Sequence, residues 1–360
     1  MLKALHLWLP AYLRRKPHKQ LRETHLLICV CDHFEPLHEG SKAEALARIR
    51  RWQVEFPRLA SQFRDSSGTS PAHTFFYPVE QYDPDLIEAI AGICRATHCE
   101  TEVHLHHHND SAAGLAAKLE QGKRDLDRHG LLSTGPQGAI RFGFIHGNWA
   151  LDNSRPGGGN CGVCNELNVL RQAGCYADFT MPSAPDPCQT AIINSIYYAT
   201  PGERPKSHDR GRPARAGITD PAGFLLVQGP LGLNWRWRKW GVLPRIENGD
   251  LTPRNPPTAD RLRLWRKLGV HVQGRPEWLF AKLHTHGGVP RNMDMLLGDP
   301  MRQFHRALAD SAAADPGFHF HYVTARELVN IVHAAEAGKT GNPAAYRDFR
   351  YQTRTPSCAT

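Results

Sequence analysis

Glu102-Val-His-Leu-His-His-His-Asn-Asp110 sets four histidines within five positions, and its first half alternates as a strand does. Side chains on a β-strand point to opposite faces in turn, so Glu102, His104 and His106 share one face while Val103 and Leu105 share the other. The apolar pair can meet a covering layer, which leaves the imidazoles to converge on a site. Imidazole suits zinc, iron, nickel and cobalt, and the nearby carboxylate of Asp110 widens the choice of metal. A solvent-facing histidine run would not require such regular alternation beside it.

Outward from that stretch, apolar runs read as strands at 26–31, 74–77, 102–106, 140–145, 177–181, 224–228, 279–284 and 319–323. Helical patterns fall between most of them, at 41–62, 84–96, 112–128, 165–172, 260–268, 301–314 and 324–335. Such alternation is the signature of βα units on a parallel sheet, and eight runs imply an α/β barrel of seven or eight parallel strands, closed or nearly so. Residues 1–24 read as an N-terminal extension, 25–340 as the barrel and 341–360 as a C-terminal tail with little fold of its own. A long irregular insertion near 200–257 breaks the rhythm, rich in Gly, Pro, Arg and Trp. Its Trp235, Trp237 and Trp240 can stack on sugar rings or pack the insertion onto the barrel, and Trp235 is a substrate-binding candidate.

Composition fits an enzyme with a sizeable core: 360 residues, 41% hydrophobic and 22% charged, with a mean hydropathy of -0.48. The 44 basic and 35 acidic residues leave a net charge of +9, which favours acidic partners. The charge is dispersed and no nucleic-acid module is present, so nucleic acid is not an expected partner. The apolar N-terminal stretch is short, broken by Pro10 and followed by Arg14, Arg15 and Lys16, unlike an export signal. A cytoplasmic protein is the expectation, with that segment docked as a first helix or resting on an anionic membrane surface. Nine cysteines without a secretory signal are expected as reduced thiols. Cys161-Gly-Val-Cys164 has metal-ligand spacing but no second close pair, so buried small hydrophobes are the preferred reading there.

In their order along the chain, several motifs resemble the polysaccharide deacetylase superfamily of glycoside hydrolase/deacetylase barrels. Thr74-Phe-Phe-Tyr-Pro, then Asp83-Pro-Asp-Leu-Ile-Glu, then Glu102-Val-His-Leu-His106 resemble that family's second strand, its helix and its Glu-Ile-x-x-His strand end. The family's second metal histidine falls four residues on, where this chain has Asp110; a competing register pairs His104 with His108. Ile28-Cys-Val-Cys-Asp32-His-Phe-Glu35-Pro resembles the first strand, which ends in two acids, a base and a metal ligand. Asp32 matches the first acid, and Glu35 or His33 completes the metal shell. Phe142-Gly-Phe-Ile-His146-Gly-Asn148-Trp149 occupies the place of a motif that shapes the substrate groove, with Asp152 in the loop beyond. Period two puts His146 and Asn148 on one face. Phe280-Ala-Lys282-Leu-His284-Thr-His286-Gly resembles the final Leu-x-His motif, whose histidine protonates the leaving group; His284 is the first choice and His286 the second.

The resemblance implies a metal-dependent hydrolase that removes an N- or O-acetyl group from a saccharide or glycan precursor. The cofactor implied is a divalent ion, zinc first, with cobalt, nickel or manganese as alternatives. Asp32, His284, His286 and His146 are the catalytic candidates, and Asn148, Trp149, Asp152, Lys282 and Trp235 the substrate-binding ones. Glu35, His33, His104, His106 and Asp110 are the candidate metal ligands. Another C–N hydrolase on the same scaffold and a catalytically degenerate carbohydrate-binding protein are the alternatives, because a fold does not fix a function.

Overall fold

A computed structural model describes residues 4–19, 21–220 and 222–354 of the chain. The helices are α1 (Leu5–Arg14), α2 (Lys42–Ala60), α3 (Pro84–Ala96), α4 (Ala112–Asp127), α5 (Glu166–Gln172), α6 (Ala259–Leu268), α7 (Pro290–Leu296), α8 (Asp299–Ala314) and α9 (Ala325–Glu336). The strands are β1 (Thr24–His33), β2 (His73–Pro78), β3 (Cys99–Leu105), β4 (Ser133–Thr134), β5 (Ile140–His146), β6 (Cys175–Asp178), β7 (Ile196–Ala199), β8 (Gly211–Pro213), β9 (Phe224–Val227), β10 (Gly232–Lys239), β11 (Leu243–Glu247), β12 (Trp278–Thr285), β13 (Phe318–Tyr322) and β14 (Gln352–Thr353).

Strands β12, β1, β2, β3, β5, β6 and β9 lie side by side and parallel in that order. Strand β13 also pairs parallel with β1, along Thr24–Ile28, below the point where β2 takes over at Cys31. Each of the eight apolar runs therefore contributes to a parallel strand, the run at 177–181 stopping at Asp178. The sheet is mixed, because β7 pairs antiparallel with β9, β8 with β7, and β4 with β5. Among the described residues no ladder joins β9 to β12. Irregular backbone takes the edge of β12 instead: Phe280 N–H donates to Val270 O, His284 N–H to Gly249 O, and Leu251 N–H to His284 O. The architecture is thus a large mixed α/β sheet of parallel and antiparallel strands.

The sheet is buried on both sides, and the alternation of β1 sorts its residues between two cores. Leu26, Ile28 and Val30 pack with Ala45, Ile49 and Trp52 of α2 and with Leu86 and Ile90 of α3. Leu27, Cys29 and Cys31 pack on the opposite face with Phe280 and with Leu328, Val329 and Ile331 of α9. Helix α2 starts in a capping box, Ser41 with Glu44, and α9 in another, Thr324 with Glu327. All of α9 is buried, so it fills one face of the sheet rather than joining the outer helices. Charged residues at its start are paired: Arg326 lies 2.7 Å from Glu100, and Glu327 accepts from Arg347 at 2.9 Å and His98 at 3.0 Å.

The expected tail and extension are both docked where they are described. Asn330 and Arg326 donate to Tyr351 O, and the Tyr351 ring stacks on Tyr176 at 5.0 Å. Asn330 also donates to Arg347 O at 2.6 Å, Arg347 reaches Asp65, and β14 pairs with β4, so the segment is held by α9 and by neighbouring loops and strands; residues 355–360 lie outside the described residues. In α1, Trp8 is buried against Ala184 and Leu231. No described helix is long and apolar enough to cross a membrane. The insertion holds β8, β9 and the hairpin β10–β11, on which Trp235 is 54% and Trp240 84% exposed.

Glu102 lies on the α9 face of β3, beside Phe76, and is buried. Gly143 N–H donates to one oxygen at 2.5 Å, and the Tyr176 hydroxyl bonds the other. Burial pushes this carboxyl up to about 8, against the pull of those two bonds. A carboxyl raised on folding contributes stability below its unfolded value, and that contribution is lost as pH rises through about 8. Glu102→Gln keeps the shape of the protonated acid. Between about pH 5 and about pH 9 the wild type is expected to lose a few kcal/mol relative to this variant, at about 1.4 kcal/mol per pKa unit. Urea midpoints at both pH values measure it, and parallel curves for the two proteins would refute the assignment.

Candidate metal centre

The C-terminal ends of β1, β3, β5 and β12 open on one cleft of about 890 Å³, the position where open α/β sheets place ligands. Past the end of β1, Phe34 N–H is held by Phe76 O at 2.9 Å, and Glu35 follows into the cleft. Strand β3 brings His104 on the α9 face, opposite Ile145, and His106 comes just beyond the strand. His106 Nε2 lies 3.1 Å and His104 Nε2 3.8 Å from the same oxygen of Glu35. Both rings are oriented from behind. His104 Nδ1 bonds Ile145 O at 2.9 Å, and His106 Nδ1 bonds Glu80 at 2.7 Å. Fixing Nδ1 in this way turns Nε2 toward a common point, as metal-binding histidines are held. His104 Nε2 is buried and makes no hydrogen bond. Gly147 is required here, because a Cβ on it would sit 2.2 Å from the His106 ring.

Two nitrogens and one oxygen within 4.8 Å of one another can hold a metal ion. Three protein ligands leave further positions open to the cleft. Burial pushes the Glu35 carboxyl up, but the adjacent imidazoles of His104 and His106 outweigh it and hold the group well below the usual carboxylate range. Burial pushes His106 down, and Glu35 and Glu80 together overcome this to raise it to about 9. His33, His284 and His286 line the same cleft. Burial, then the neighbouring cationic groups, lowers His33 and His284 well below the ordinary histidine value, and burial lowers His286 less because Glu35 and Asp32 oppose it. The His33 ring is 4.8 Å from His286, 5.0 Å from His104 and 6.2 Å from His284, centroid to centroid.

Several candidate residues lie elsewhere. Asp32 is fully buried and does not line the cleft, since one oxygen accepts from Gly287 N–H at 2.5 Å and the other is 2.8 Å from His73 Nε2. A Cβ on Gly287 would lie 2.0 Å from that second oxygen, so glycine is what permits the approach. Lys282 is buried beneath the cleft with no hydrogen bond to its ammonium. Trp235 sits on the exposed hairpin. Asp110 is tied to Lys118 at 2.7 Å and to Ser111 N–H, and His108 accepts from Asn160 N–H, which removes the register pairing His104 with His108. Asn148 and Trp149 do reach the cleft wall.

His146 and Asp152 belong to a second, buried group. Opposite Leu105 in the ladder, His146 points to the outer-helix face, away from His104. There it meets His107, Cys161 and Glu166, and these four can also chelate a metal ion, their ligand atoms lying within 4.8 Å of one another. Glu166 accepts from Asp152 N–H at 2.5 Å, and the Asp152 carboxylate accepts from Ser207 N–H at 2.6 Å. Burial pushes the Asp152 carboxyl up to about 7. Of the Cys161–Cys164 pair only Cys161 joins the group; Cys164 accepts from Asn153. Sequence reasoning also passed over Glu80, and over Asp250, a cleft residue bridged to His284. Nothing in their local sequence marks either one.

No protein-family model matches the chain, and no curated protein does. Among solved structures, a provisionally named polysaccharide deacetylase from Mycobacterium smegmatis is similar with a TM-score of 0.43 at 13% identity, over 91% of this chain and 96% of its own. An alpha-mannosidase from Enterococcus faecalis V583 is similar with a TM-score of 0.41 at 10% identity, over 86% of this chain and 29% of its own.

In the metal-free protein His106 is expected to titrate near pH 9. Glu80→Gln removes one of its two carboxylate partners and should move that titration toward the free-histidine value near 6.5. Imidazole resonances followed by NMR against pH report it, and an unmoved titration in the variant would contradict the assigned pairing.

Proposed function

We propose that this chain is a metal-dependent hydrolase that removes an N- or O-acetyl group from a saccharide or glycan precursor. Glu35, His104 and His106 would hold the divalent ion, with zinc the first choice for a His-His-Glu set. The observation that carries this reading is His104 Nε2, a buried lone pair without a hydrogen bond, facing a carboxylate at the floor of an open polar cleft. An uncompensated buried polar atom is costly, and a cation at that point satisfies it. When bound, such an ion supplies Lewis acidity toward an acyl carbonyl and lowers the pKa of water.

The chain's own residues account for proton transfer. His33, His284 and His286 are neutral imidazoles at neutral pH, able to accept a proton from water. Of these, His286 is best suited to carry the proton and return it to a leaving amine or alcohol, since Glu35 and Asp32 favour its charged form. Asp32 thereby becomes a positioning residue: its bond to Gly287 N–H fixes the backbone beside His286. Burial also raises the carboxyl of Asp250 in the same cleft. Trp149 and Asn148 offer a ring face and an amide to a sugar, and Arg291 a positive charge at the cleft wall.

The metal content of the untagged wild-type chain beside His106→Ala tests the site. One equivalent of metal lost in the variant supports it, and equal metal content in the two proteins after reconstitution would overturn it in favour of a degenerate binding protein. With metal retained, His286→Ala is expected to lower deacetylation of acetylated sugars about 100-fold or more. Turnover of small amides or phosphoesters in preference to acetylated sugars would redirect the substrate assignment.

A further inference from the structure

We infer that His107, His146, Cys161 and Glu166 form a second metal site, a closed structural zinc site on the outer-helix face, distinct from the open cleft. All four residues are buried, three of them with no exposed surface at all. His107 Nε2 is 3.0 Å and His146 Nε2 3.6 Å from one Glu166 oxygen, and Cys161 Sγ is 3.5 Å from the other. Ligands around tetrahedral zinc sit about 3.3–3.8 Å apart, given bonds of about 2.0–2.3 Å. The three distances from Glu166 already stand close to that spacing, and all four ligand atoms lie within 4.8 Å of one another.

Two further observations point to a cation. His146 Nε2 is fully buried, makes no hydrogen bond and faces the group. His146 is also held from behind at Nδ1 by Gly147 O at 2.5 Å, and His107 Nδ1, which makes no hydrogen bond, has the Asp110 carboxylate 3.4 Å behind it. A carbonyl or carboxylate behind a histidine is the outer-shell arrangement that orients a metal ligand. Charge argues the same way. Zinc with one thiolate, one carboxylate and two neutral imidazoles sums to zero, the total that a site without solvent tolerates. On binding, the Cys161 S–H proton passes to solvent and the S–Zn bond replaces it. The four protein ligands fill a tetrahedron and leave no position for substrate, so the role is structural. The site would clamp the ends of β3 and β5 to the glycine-rich loop before Cys161 and to the start of α5.

The test uses the full-length, untagged chain. Wild type is expected to keep one equivalent of zinc through dialysis against a mild chelator. Cys161→Ser should lose that equivalent and about 5 °C or more of Tm, while His104→Ala keeps it. Loaded with cobalt, wild type and His104→Ala should show thiolate-to-cobalt charge-transfer absorption, and Cys161→Ser should not. Cobalt-loaded wild type without that absorption, or Cys161→Ser with unchanged metal content, overturns the inference. Should Cys161→Ser fail to fold, the wild-type cobalt spectrum decides alone. Failure of the dialysed wild type to take up a second equivalent when metal is restored, with the absorption retained, would count against the hydrolase reading and leave the closed site standing.

Discussion

At the end of β3 the ladder sets His104 opposite Ile145 and Leu105 opposite His146. Because side chains alternate, this register sends the two histidines to opposite faces of one sheet. The split continues past the strand, where His106 turns to Glu35 and His107 to Glu166. A slip of one residue would exchange every donor between the two groups. The register is secured by Val103 and Leu105, which are buried in the outer-helix core and cannot face the polar cleft without losing that burial. Both candidate sites therefore rest on the packing of two apolar side chains.

The two groups differ in the charge they can absorb. The cleft set has one carboxylate and two imidazoles, and a divalent ion there would leave a net positive charge on the ion and its three ligands, offset in part by Glu80 behind His106. That suits a reaction in which negative charge develops on an oxygen, because fixed positive charge in a partly desolvated cleft stabilises it without reorganisation. The buried set has two groups that can become anions and reaches neutrality with the same ion. Burial, helped by the neighbouring Glu166 carboxylate, pushes the Cys161 thiol up, so without a cation it stays protonated and the set consists of a carboxylate shared between two imidazoles. Buried ion networks of that kind add little net stability over apolar packing, since desolvation offsets most of the attraction.

The strands and helices were legible because a sheet covered on both sides needs continuous apolar runs, and the sequence supplies them at 26–31, 140–145 and 279–284 between capped helical segments. What the linear pattern could not show is which side of the sheet a helix covers. The segment at 324–335 reads as an ordinary amphipathic helix, yet α9 lies on the face opposite the outer helices, its charged residues neutralised by Glu100, Arg347 and His98 from distant parts of the chain. The cleft histidines were legible from their density at one strand end. Asp32 stands away from the cleft for a physical reason: it lies between Cys31 and His33, which share the α9 face of β1, so alternation turns it the other way, toward His73. His146 was misread through grouping with Asn148 across a backbone that leaves the extended conformation at Gly147.

That departure links the two sites. Asn148, Trp149, Asp152 and Asn153 all take positive φ values, of 56°, 56°, 55° and 53°. Such backbone costs roughly 1–3 kcal/mol per non-glycine residue and persists only where the surroundings hold it. Here the restraints are identifiable. Arg155 donates to Asn148 O at 3.0 Å, Lys206 N–H donates to Asp152 O at 2.7 Å, and Asp152 N–H donates to Glu166 at 2.5 Å. The loop that presents Asn148 and Trp149 to the cleft is thus fastened at its far end to the carboxylate at the centre of the buried group. Order at Glu166 fixes Asp152, Asp152 fixes the turn, and the turn fixes the wall of the cleft. The wall of the cleft is in this way tied, through Asp152, to the polar group buried on the opposite face of the sheet.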